Sequence, residues 1–200
     1  MKKINEITRK LQDMEIFSMP KIKEEQYITP ADIASDLIWK AFMLKDIEGK
    51  EIIDIGCGTG ILGIASLLLG AKSCIFLDKD EDALDICRRN LKSLDIDEEN
   101  YILLNEDIKN TDIKADVVIM NPPFGTKIKH ADKRFLEKAI ESPVVYSFHK
   151  TNTLDFVKAF VKDHKKEITH IWHYSYPLKK SMEHHRKKIE YIDVSVVRIK

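Results

Sequence analysis

The chain alternates short apolar runs with longer stretches in which apolar residues recur every three or four positions. Short apolar runs are typical of buried strands, and the longer spacing is typical of amphipathic helices. Helices are therefore predicted between the strands and ahead of the first one. This order predicts an α/β fold around a mainly parallel, seven-stranded sheet. The predicted strands are 51–55, 73–77, 101–104, 117–120 and 144–147, followed by an antiparallel hairpin of 168–174 and 191–199.

Length and composition fit one domain over residues 1–200. The chain is 44% hydrophobic and 33% charged, an ordinary composition for a globular protein, and no shift in composition marks a second domain. No apolar run approaches the roughly 20 residues that span a bilayer, and the N-terminus lacks the apolar stretch of a secretory signal. The three cysteines form no Cys-x-x-Cys pair. We therefore expect a reducing cytoplasm, no disulfides, no metal centre and no membrane contact.

Charge is balanced overall but unevenly distributed. The first hundred residues hold 14 basic and 20 acidic side chains, and the second hundred hold 19 and 13, so the halves carry −6 and +6. A basic half suits a polyanionic partner, although a solvated lysine-rich surface would have the same composition.

A glycine-rich turn follows the first predicted strand, with the spacing Asp54-x-Gly56-x-Gly58-x-Gly60. In doubly wound sheets such a turn brings backbone close to a nucleotide. The third glycine comes one residue too early for the dinucleotide pattern, so the ligand need not carry a pyrophosphate. The Asp54 carboxylate would repel a phosphate but would pair with an ammonium group, directly or through water.

Two further acids follow the next two predicted strands. Asp78 stands where an acid commonly binds ribose hydroxyls, and Asp107 is placed to accept a hydrogen bond from an adenine amino group. A nucleoside with an amino-acid tail and no phosphate fits all three acids, which points to S-adenosylmethionine. Taken singly, the glycines would be a helix-start turn and the two acids surface caps.

The fourth predicted strand ends in Asn121-Pro122-Pro123-Phe124. The prolines stiffen the turn and leave its carbonyls free to accept hydrogen bonds, and the Asn side chain adds another acceptor. Phe124 offers a flat stacking face. This set suits a planar group with an exocyclic amine, although a proline-rich turn that closes a strand would have the same residues.

These motifs together resemble a known family. Asp54 to Gly60 is similar to the first motif of Rossmann-like class I methyltransferases, and Asn121 to Phe124 is similar to the catalytic motif of those that methylate exocyclic amines. More narrowly, the chain resembles the methyltransferase-like-five family of archaeal and eukaryotic N6-adenine methyltransferases of small-subunit ribosomal RNA. The segments that carry this resemblance over nearly the whole chain are Gln26-Tyr27-x-Thr29, Asp78-x-Asp80-Glu81-Asp82-Ala83-Leu84 and Asn121-Pro122-Pro123-Phe124-Gly125-Thr126-Lys127.

The resemblance implies a role for each matching position. Residues 1–48 would form a helical cap and lid, and Gln26, Tyr27 and Thr29 would close over the amino-acid end of the cofactor. Ile28 departs from the family, in which proline is frequent there. Thr29 also precedes Pro30, where it suits an N-cap of the following helix. The implied cofactor contacts are completed by Asp54, Gly56, Gly58, Gly60, Asp78, Asp107 and Asn121.

The expected catalytic residues are Asn121, Pro122, Pro123 and Phe124. The Asn121 side-chain oxygen and the Pro122 carbonyl would accept the two N–H bonds of adenine N6, and Phe124 would stack on an extruded base. No separate acid or base is required.

The substrate expected from the resemblance is RNA, gripped by the basic segment 164–190 and by the loop after the catalytic motif. Tyr174 and Tyr176 fall within this segment, and His149 is expected at the surface rather than at a metal. The candidate RNA-binding residues are Lys127, Lys129, Lys179, Lys180, Arg186, Lys187 and Lys188.

The family also implies a partner, a small zinc-containing activator subunit that would form a heterodimer with this chain. The strand 101–104 should lie at an edge of the sheet, where another chain can pair. Two alternatives remain open: methylation of DNA adenine or of a protein glutamine amide, and a non-catalytic cofactor-binding subunit.

Overall fold

A computed structural model describes residues 2–18, 21, 26–112, 114–124, 131–180 and 188–200, with the backbone alone at 2, 131, 132, 178–180, 188 and 189. Within these residues no helix is both long enough and apolar enough to cross a membrane.

Seven strands form one sheet in the order β3-β2-β1-β4-β5-β7-β6. The first five strands are parallel, and β7 pairs antiparallel with both β5 and β6. The predicted α/β class, the parallel core and the antiparallel C-terminal hairpin are confirmed. The strands are β1 (Glu51–Ile55), β2 (Ser73–Asp78), β3 (Tyr101–Asn105), β4 (Val117–Met120), β5 (Val144–Lys150), β6 (Ile168–Lys180) and β7 (Lys188–Ile199).

Helices cover both faces of the sheet because alternate residues of each strand point to opposite sides. On one face the helices α1 to α4 pack against residues such as Ile52 and Phe76. On the other face α5 and α6 pack against residues such as Ile53 and Val145. The helices are α1 (Lys2–Gln12), α2 (Ala31–Met43), α3 (Ile61–Leu68), α4 (Glu81–Ser93), α5 (Ala131–Ala139) and α6 (Leu154–Asp163).

The C-terminal hairpin is longer than its apolar pattern predicts. The pairing of β6 with β7 continues from Tyr176 opposite Ile192 to Lys180 opposite Lys188. The added residues include Lys179, Lys180 and Lys188, and backbone pairing continues through them beyond the alternating apolar pattern. Pro177 lacks a backbone N–H, which β6 accommodates because it is the outer strand.

A buried ion pair joins the loop after α2 to the last strand of the sequence, β7. The Arg198 guanidinium donates to both carboxylate oxygens of Asp46, at 2.7 and 3.2 Å, and the Tyr146 hydroxyl donates to the same carboxylate at 2.6 Å. Both charged side chains are nearly inaccessible, at 7% and 10% exposure. This network fixes the loop after α2 against β5 and β7.

Candidate active site

The carboxyl ends of β1, β2 and β4 meet at one edge of the sheet, because Ile55 lies beside both Leu77 and Met120 in the register. The loops that follow these strands surround a cavity of about 300 Å³. Small-molecule sites in doubly wound sheets lie at this edge. Eight of the residues predicted from the sequence line the cavity: Gln26, Tyr27, Gly56, Gly58, Asp78, Asp107, Asn121 and Pro123.

The three glycines of the turn all have positive φ, and they serve different purposes. Gly56 lies under the Phe135 ring, and Gly58 lies near Phe17, so the two aromatic rings flank the exposed backbone of the turn. Gly60 is not among the residues that line the cavity. It precedes α3, and a Cβ there would stand 2.4 Å from Cys87 Sγ. Gly60 is therefore required for packing of α3 against α4, and the cofactor contact expected for it stays a prediction.

Asp54 is buried behind the glycine turn, with one carboxylate oxygen accepting from the Gly63 backbone N–H at 2.9 Å. Burial raises the pKa of this carboxyl to about 7, opposed by the Gly63 hydrogen bond. Asp54 does not line the main cavity. It borders a recess of about 30 Å³ beside Thr29 and Asn121, which is large enough to hold a water molecule. Of the two contacts expected for Asp54, this geometry favours the one through water.

Asp78 is held at the cavity wall by two backbone N–H groups. Gly58 donates to one carboxylate oxygen at 2.8 Å, and Asp80 donates to the other at 3.0 Å. Burial raises the pKa of Asp78, and these two hydrogen bonds oppose the rise. Each oxygen retains acceptor capacity for a ligand hydroxyl, because a carboxylate oxygen has two lone pairs.

Asp107 caps a short turn and also borders the cavity. Its carboxylate caps the short 3-10 turn Ile108–Asn110 by accepting from the Lys109 N–H at 3.0 Å. It also lines the cavity. Capping fixes the direction of the carboxylate while the residue stays within reach of a ligand.

Hydrogen bonds join the segment before α2 to the loop that follows β2. The Gln26 amide donates to Asp80, and Lys21 donates to the same carboxylate at 2.7 Å. Asp80 in turn caps α4 by accepting from the Asp82 N–H. Gln26 therefore borders the cavity in a fixed position.

Phe17 lines the cavity and Asn90 supports the segment that carries it, and neither residue was singled out from the sequence. The buried Asn90 side chain accepts from the Glu15 N–H at 2.7 Å and donates to the carbonyls of Glu15 and Thr59, both at 3.0 Å. It thus joins the segment that carries Phe17 to the glycine turn. The sequence gives no sign of this cross-link, because Asn90 looks like an ordinary polar position of an amphipathic helix.

Asn121 lies at the mouth of β4 with its amide held from behind. Its Nδ2 donates to Thr29 Oγ1 at 2.9 Å and to the Tyr176 hydroxyl at 3.0 Å. Its Oδ1 is buried and has no hydrogen-bond partner within the part of the chain that the structure describes. Thr29 therefore contacts Asn121, and the cap position of α2 is taken by Pro30 without a side-chain hydrogen bond. The expected capping role of Thr29 is wrong.

Phe124 is less accessible than the flat stacking face expected for it. The side chain is 8% exposed. One side of the ring is stacked with Tyr27, at a centroid distance of 6.0 Å, and the Tyr176 ring meets it edge-on at 5.8 Å. Tyr27 and Pro123 reach the cavity, whereas Phe124 and Pro122 are not among the lining residues. Phe124 supports this wall from within the core.

The residues expected to contact RNA fall where the structure gives no side chains. Lys127, Lys129, Arg186 and Lys187 lie outside the described residues. For Lys179, Lys180 and Lys188 only the backbone is described, as the adjoining ends of β6 and β7. Their role stays a prediction.

Three aromatic residues expected at an exposed or RNA-facing surface lie elsewhere. Tyr176 is fully buried, and Tyr174 is half-buried with its hydroxyl donating to Asp36 at 2.8 Å. His149 is 1% exposed and hydrogen-bonded to Ser147, so its expected surface position is wrong. No cluster of metal-ligating side chains occurs among the described residues.

The parallel core, the antiparallel closing hairpin and the acid-lined cavity behind a glycine turn define a class I methyltransferase. The chain matches the model of the methyltransferase small domain over residues 28–143. It is 38% identical to rRNA N(6)-adenosine-methyltransferase METTL5 of Danio rerio, with 98% of each chain covered. The chain belongs to the METTL5 family.

Other relatives agree with this assignment. The Drosophila melanogaster rRNA N(6)-adenosine-methyltransferase Mettl5 is 34% identical over 96% of this chain and 93% of its own length. Among solved structures, PH1948 of Pyrococcus horikoshii, a proposed RNA methyltransferase, is 39% identical with a TM-score of 0.91 and covers 100% of this chain and 98% of its own.

Proposed function

We propose that this protein transfers the methyl group of S-adenosylmethionine to N6 of an adenosine in small-subunit ribosomal RNA, in the cytoplasm. The observation that carries the proposal is the Asn121 Oδ1 atom, a buried acceptor without a partner among the described residues, beside the cavity. Exocyclic amines donate two hydrogen bonds, and such an acceptor binds one of them.

The cavity has the groups that the cofactor requires. Asp78 would accept from the ribose hydroxyls, and Asp107 from the adenine amino group. Asp54 would bind the ammonium group through a water in the small recess, which its burial and the recess volume support. Phe17, Leu77 and Ile108 supply apolar walls for the sulfonium and the ring. When bound, the cofactor supplies an activated methyl group.

The residues around Asn121 prepare the amine for reaction. Adenine N6 is a poor nucleophile because its lone pair is delocalised into the ring. Hydrogen bonds from its two N–H groups to Asn121 Oδ1 and to the Pro122 carbonyl favour a tetrahedral nitrogen, whose lone pair then points toward the methyl carbon. This nitrogen would take the activated methyl group while the electron pair of the broken C–S bond stays on sulfur, and the methylated nitrogen would then release a proton to water. Positioning supplies much of the acceleration.

The choice of substrate rests on the relatives and on charge. METTL5 of Danio rerio and its Drosophila counterpart are named as rRNA N(6)-adenosine methyltransferases. The second half of this chain carries a net charge of +6. Within a single domain, residues 1–48 would form the cofactor lid and residues 164–190 would face the RNA.

A methylation assay with labelled S-adenosylmethionine tests the proposal. Small-subunit rRNA, large-subunit rRNA, DNA and a glutamine-containing protein are compared, and the products are digested for mass spectrometry. We expect N6-methyladenosine from small-subunit rRNA. Label in DNA or protein alone, or no cofactor binding by calorimetry, would replace the proposal with one of the two alternatives.

An activator subunit would bind at β3, which forms one edge of the sheet. Ile102 on this strand is 59% exposed, an apolar side chain beside unpaired backbone groups. We expect a small zinc-containing partner to add a strand there. Co-expression of this chain with such a subunit should give a heterodimer, and Ile102→Lys should prevent it while the exposed variant Met43→Lys, remote from β3, should not. Full activity and solubility of the chain alone would count against the partner.

A further inference from the structure

The Asn121 amide is held by two hydroxyl groups from distant parts of the chain. Thr29 precedes α2, and Tyr176 lies on β6 of the C-terminal hairpin. Thr29 is 5% exposed and Tyr176 is fully buried. Two hydrogen bonds therefore hold the same end of the amide. Burial raises the pKa of Tyr176 to about 12, so the hydroxyl keeps its proton at neutral pH.

The structure places the two ends of the amide differently. Oxygen and nitrogen of an Asn side chain have nearly the same shape, so the surrounding network must orient the group. Nδ2 faces both hydroxyl oxygens and donates one hydrogen bond to each. Oδ1 lies at the other end of the amide, buried and without a hydrogen-bond partner among the described residues.

We propose that Tyr176, together with Thr29, is a positioning residue that holds the Asn121 amide with Oδ1 toward the substrate. Reversal of the amide would present an NH2 group to the target amine, and two donors do not bond. Tyr176 touches neither substrate nor cofactor in this role, because it acts through Asn121. The proposal rests on the proposed function for its catalytic consequence, whereas the orientation of the amide stands independently of the substrate.

Side-chain hydrogen exchange tests the orientation without any substrate. The Asn121 NH2 signals in ¹⁵N-labelled protein are assigned by their loss in Asn121→Ala. Both protons should exchange slowly in the wild type, and Tyr176→Phe should accelerate the exchange of one by about tenfold, the factor for one lost hydrogen bond. Tyr174→Phe is the matched control, since it removes a hydroxyl on the same strand that is bonded to Asp36. Equal exchange in wild type and Tyr176→Phe, or equal acceleration in both variants, would overturn the proposal.

Kinetics tests the consequence. With a short oligouridine that contains one adenosine, Tyr176→Phe should lower kcat about tenfold with little change in KM for the cofactor. Binding of the same oligomer with inosine at that position should weaken less or improve, because a reversed amide donates to the carbonyl at C6. An unchanged kcat, or equal losses for adenosine and inosine, would contradict the positioning role. No transfer to adenosine by the wild type would refute the proposed function, and the exchange result would still decide the orientation.

Discussion

Asp54 combines burial with a single backbone hydrogen bond, and its charge therefore depends on pH near neutrality. The carboxyl is 1% exposed, and the Gly63 N–H at the first turn of α3 is a donor to it. Among the described residues, no cationic side chain contributes to the shift of its pKa to about 7. A cation bound nearby would therefore stabilise the ionised Asp54 carboxyl, and the ammonium group of the cofactor would supply that cation.

We therefore expect cofactor affinity to fall as pH decreases below the pKa of Asp54, which is about 7. Only the ionised carboxyl attracts an ammonium, so the dissociation constant should rise by up to about tenfold per pH unit. Calorimetric titration with S-adenosylmethionine from about pH 5.5 to 8 measures this dependence. Asp54→Asn should bind weakly with no such slope, and a flat wild-type profile would argue against the ammonium contact.

The same raised pKa makes Asp54 unfavourable for stability at higher pH. The folded carboxyl binds its proton up to about pH 7, whereas the ordinary pKa of an aspartate is 3.8, so stability from this group is lost as pH rises from 3.8 to about 7. Asp54→Asn should therefore increase the free energy of unfolding at about pH 8 and change it little at about pH 4. Urea denaturation at the two pH values compares the variants.

Asn121→Ala should keep cofactor binding and lose most methyl transfer. The substitution removes the acceptor Oδ1 without touching Asp78 or Asp107, so kcat should fall by about 100-fold or more, as for loss of a catalytic hydrogen-bonding group. Asn152→Ala, an exposed asparagine in the turn after β5, is the control. Wild-type turnover by Asn121→Ala would refute the mechanism.

At the scale of elements, α3 packs unusually close to β2. Gly63 lies on the buried face of α3, where a Cβ would stand 2.3 Å from the Phe76 ring and 2.7 Å from Cys74 Sγ. The close approach also lets the Gly63 N–H reach Asp54. A glycine here determines the position of the whole helix behind the cofactor turn.

Gly63→Ala should lower the free energy of unfolding by about 1–3 kcal/mol, the range for overpacked cores. Gly49→Ala is the comparison, since Gly49 has a φ of +69° and no atom within 4 Å of an added Cβ. Strain alone should make that change about 1 kcal/mol unfavourable. Urea denaturation measures both, and an equal effect would mean that the Phe76 ring yields to the methyl group.

The buried parallel strands were predictable, and for two of them the predicted ends also match, whereas the full length of the C-terminal hairpin was not predictable. The apolar runs Ile52–Ile55 and Val117–Met120 identified β1 and β4, since burial determines both. β6 extends to Lys180 and β7 starts at Lys188 because backbone pairing continues past the apolar residues. Such pairing depends on the position of the partner strand, so the residues of one strand alone do not show how far it extends.

At the scale of the whole molecule, contacts between distant segments complete the site. The acids at the strand ends could be recognised from the sequence because each of them ends or follows a predicted strand. The carboxyl ends of parallel strands then bring these acids to one edge of the sheet. Tyr176 is 55 residues from Asn121, and Asn90 is 75 residues from Glu15. Neither belongs to a local motif, and a buried tyrosine in an alternating strand is indistinguishable from an exposed one until the partner strand is known.

The Asp46–Arg198 pair is the long-range contact with the largest expected effect. Arg198→Met leaves a buried carboxylate without its cation and should lower the free energy of unfolding by about 3–5 kcal/mol. Arg88→Met removes an exposed pair with Asp85, with side chains 48% and 49% exposed, and should change it by less than about 1 kcal/mol. Similar values for the two variants in denaturant titrations would show that Asp46 is solvated in the native state.

The length of the C-terminal hairpin determines how far its basic end lies from Asn121. Tyr176 and Lys180 lie four residues apart on one continuous strand, and thus about 13 Å apart at the usual rise per residue. The strand that supports the Asn121 amide also carries the basic residues at its far end. If those residues bind RNA phosphates, the length of the hairpin fixes the distance between the bound phosphates and the target adenosine. The enzyme would then choose its adenosine by its spacing from a gripped stretch of backbone as well as by the identity of the base.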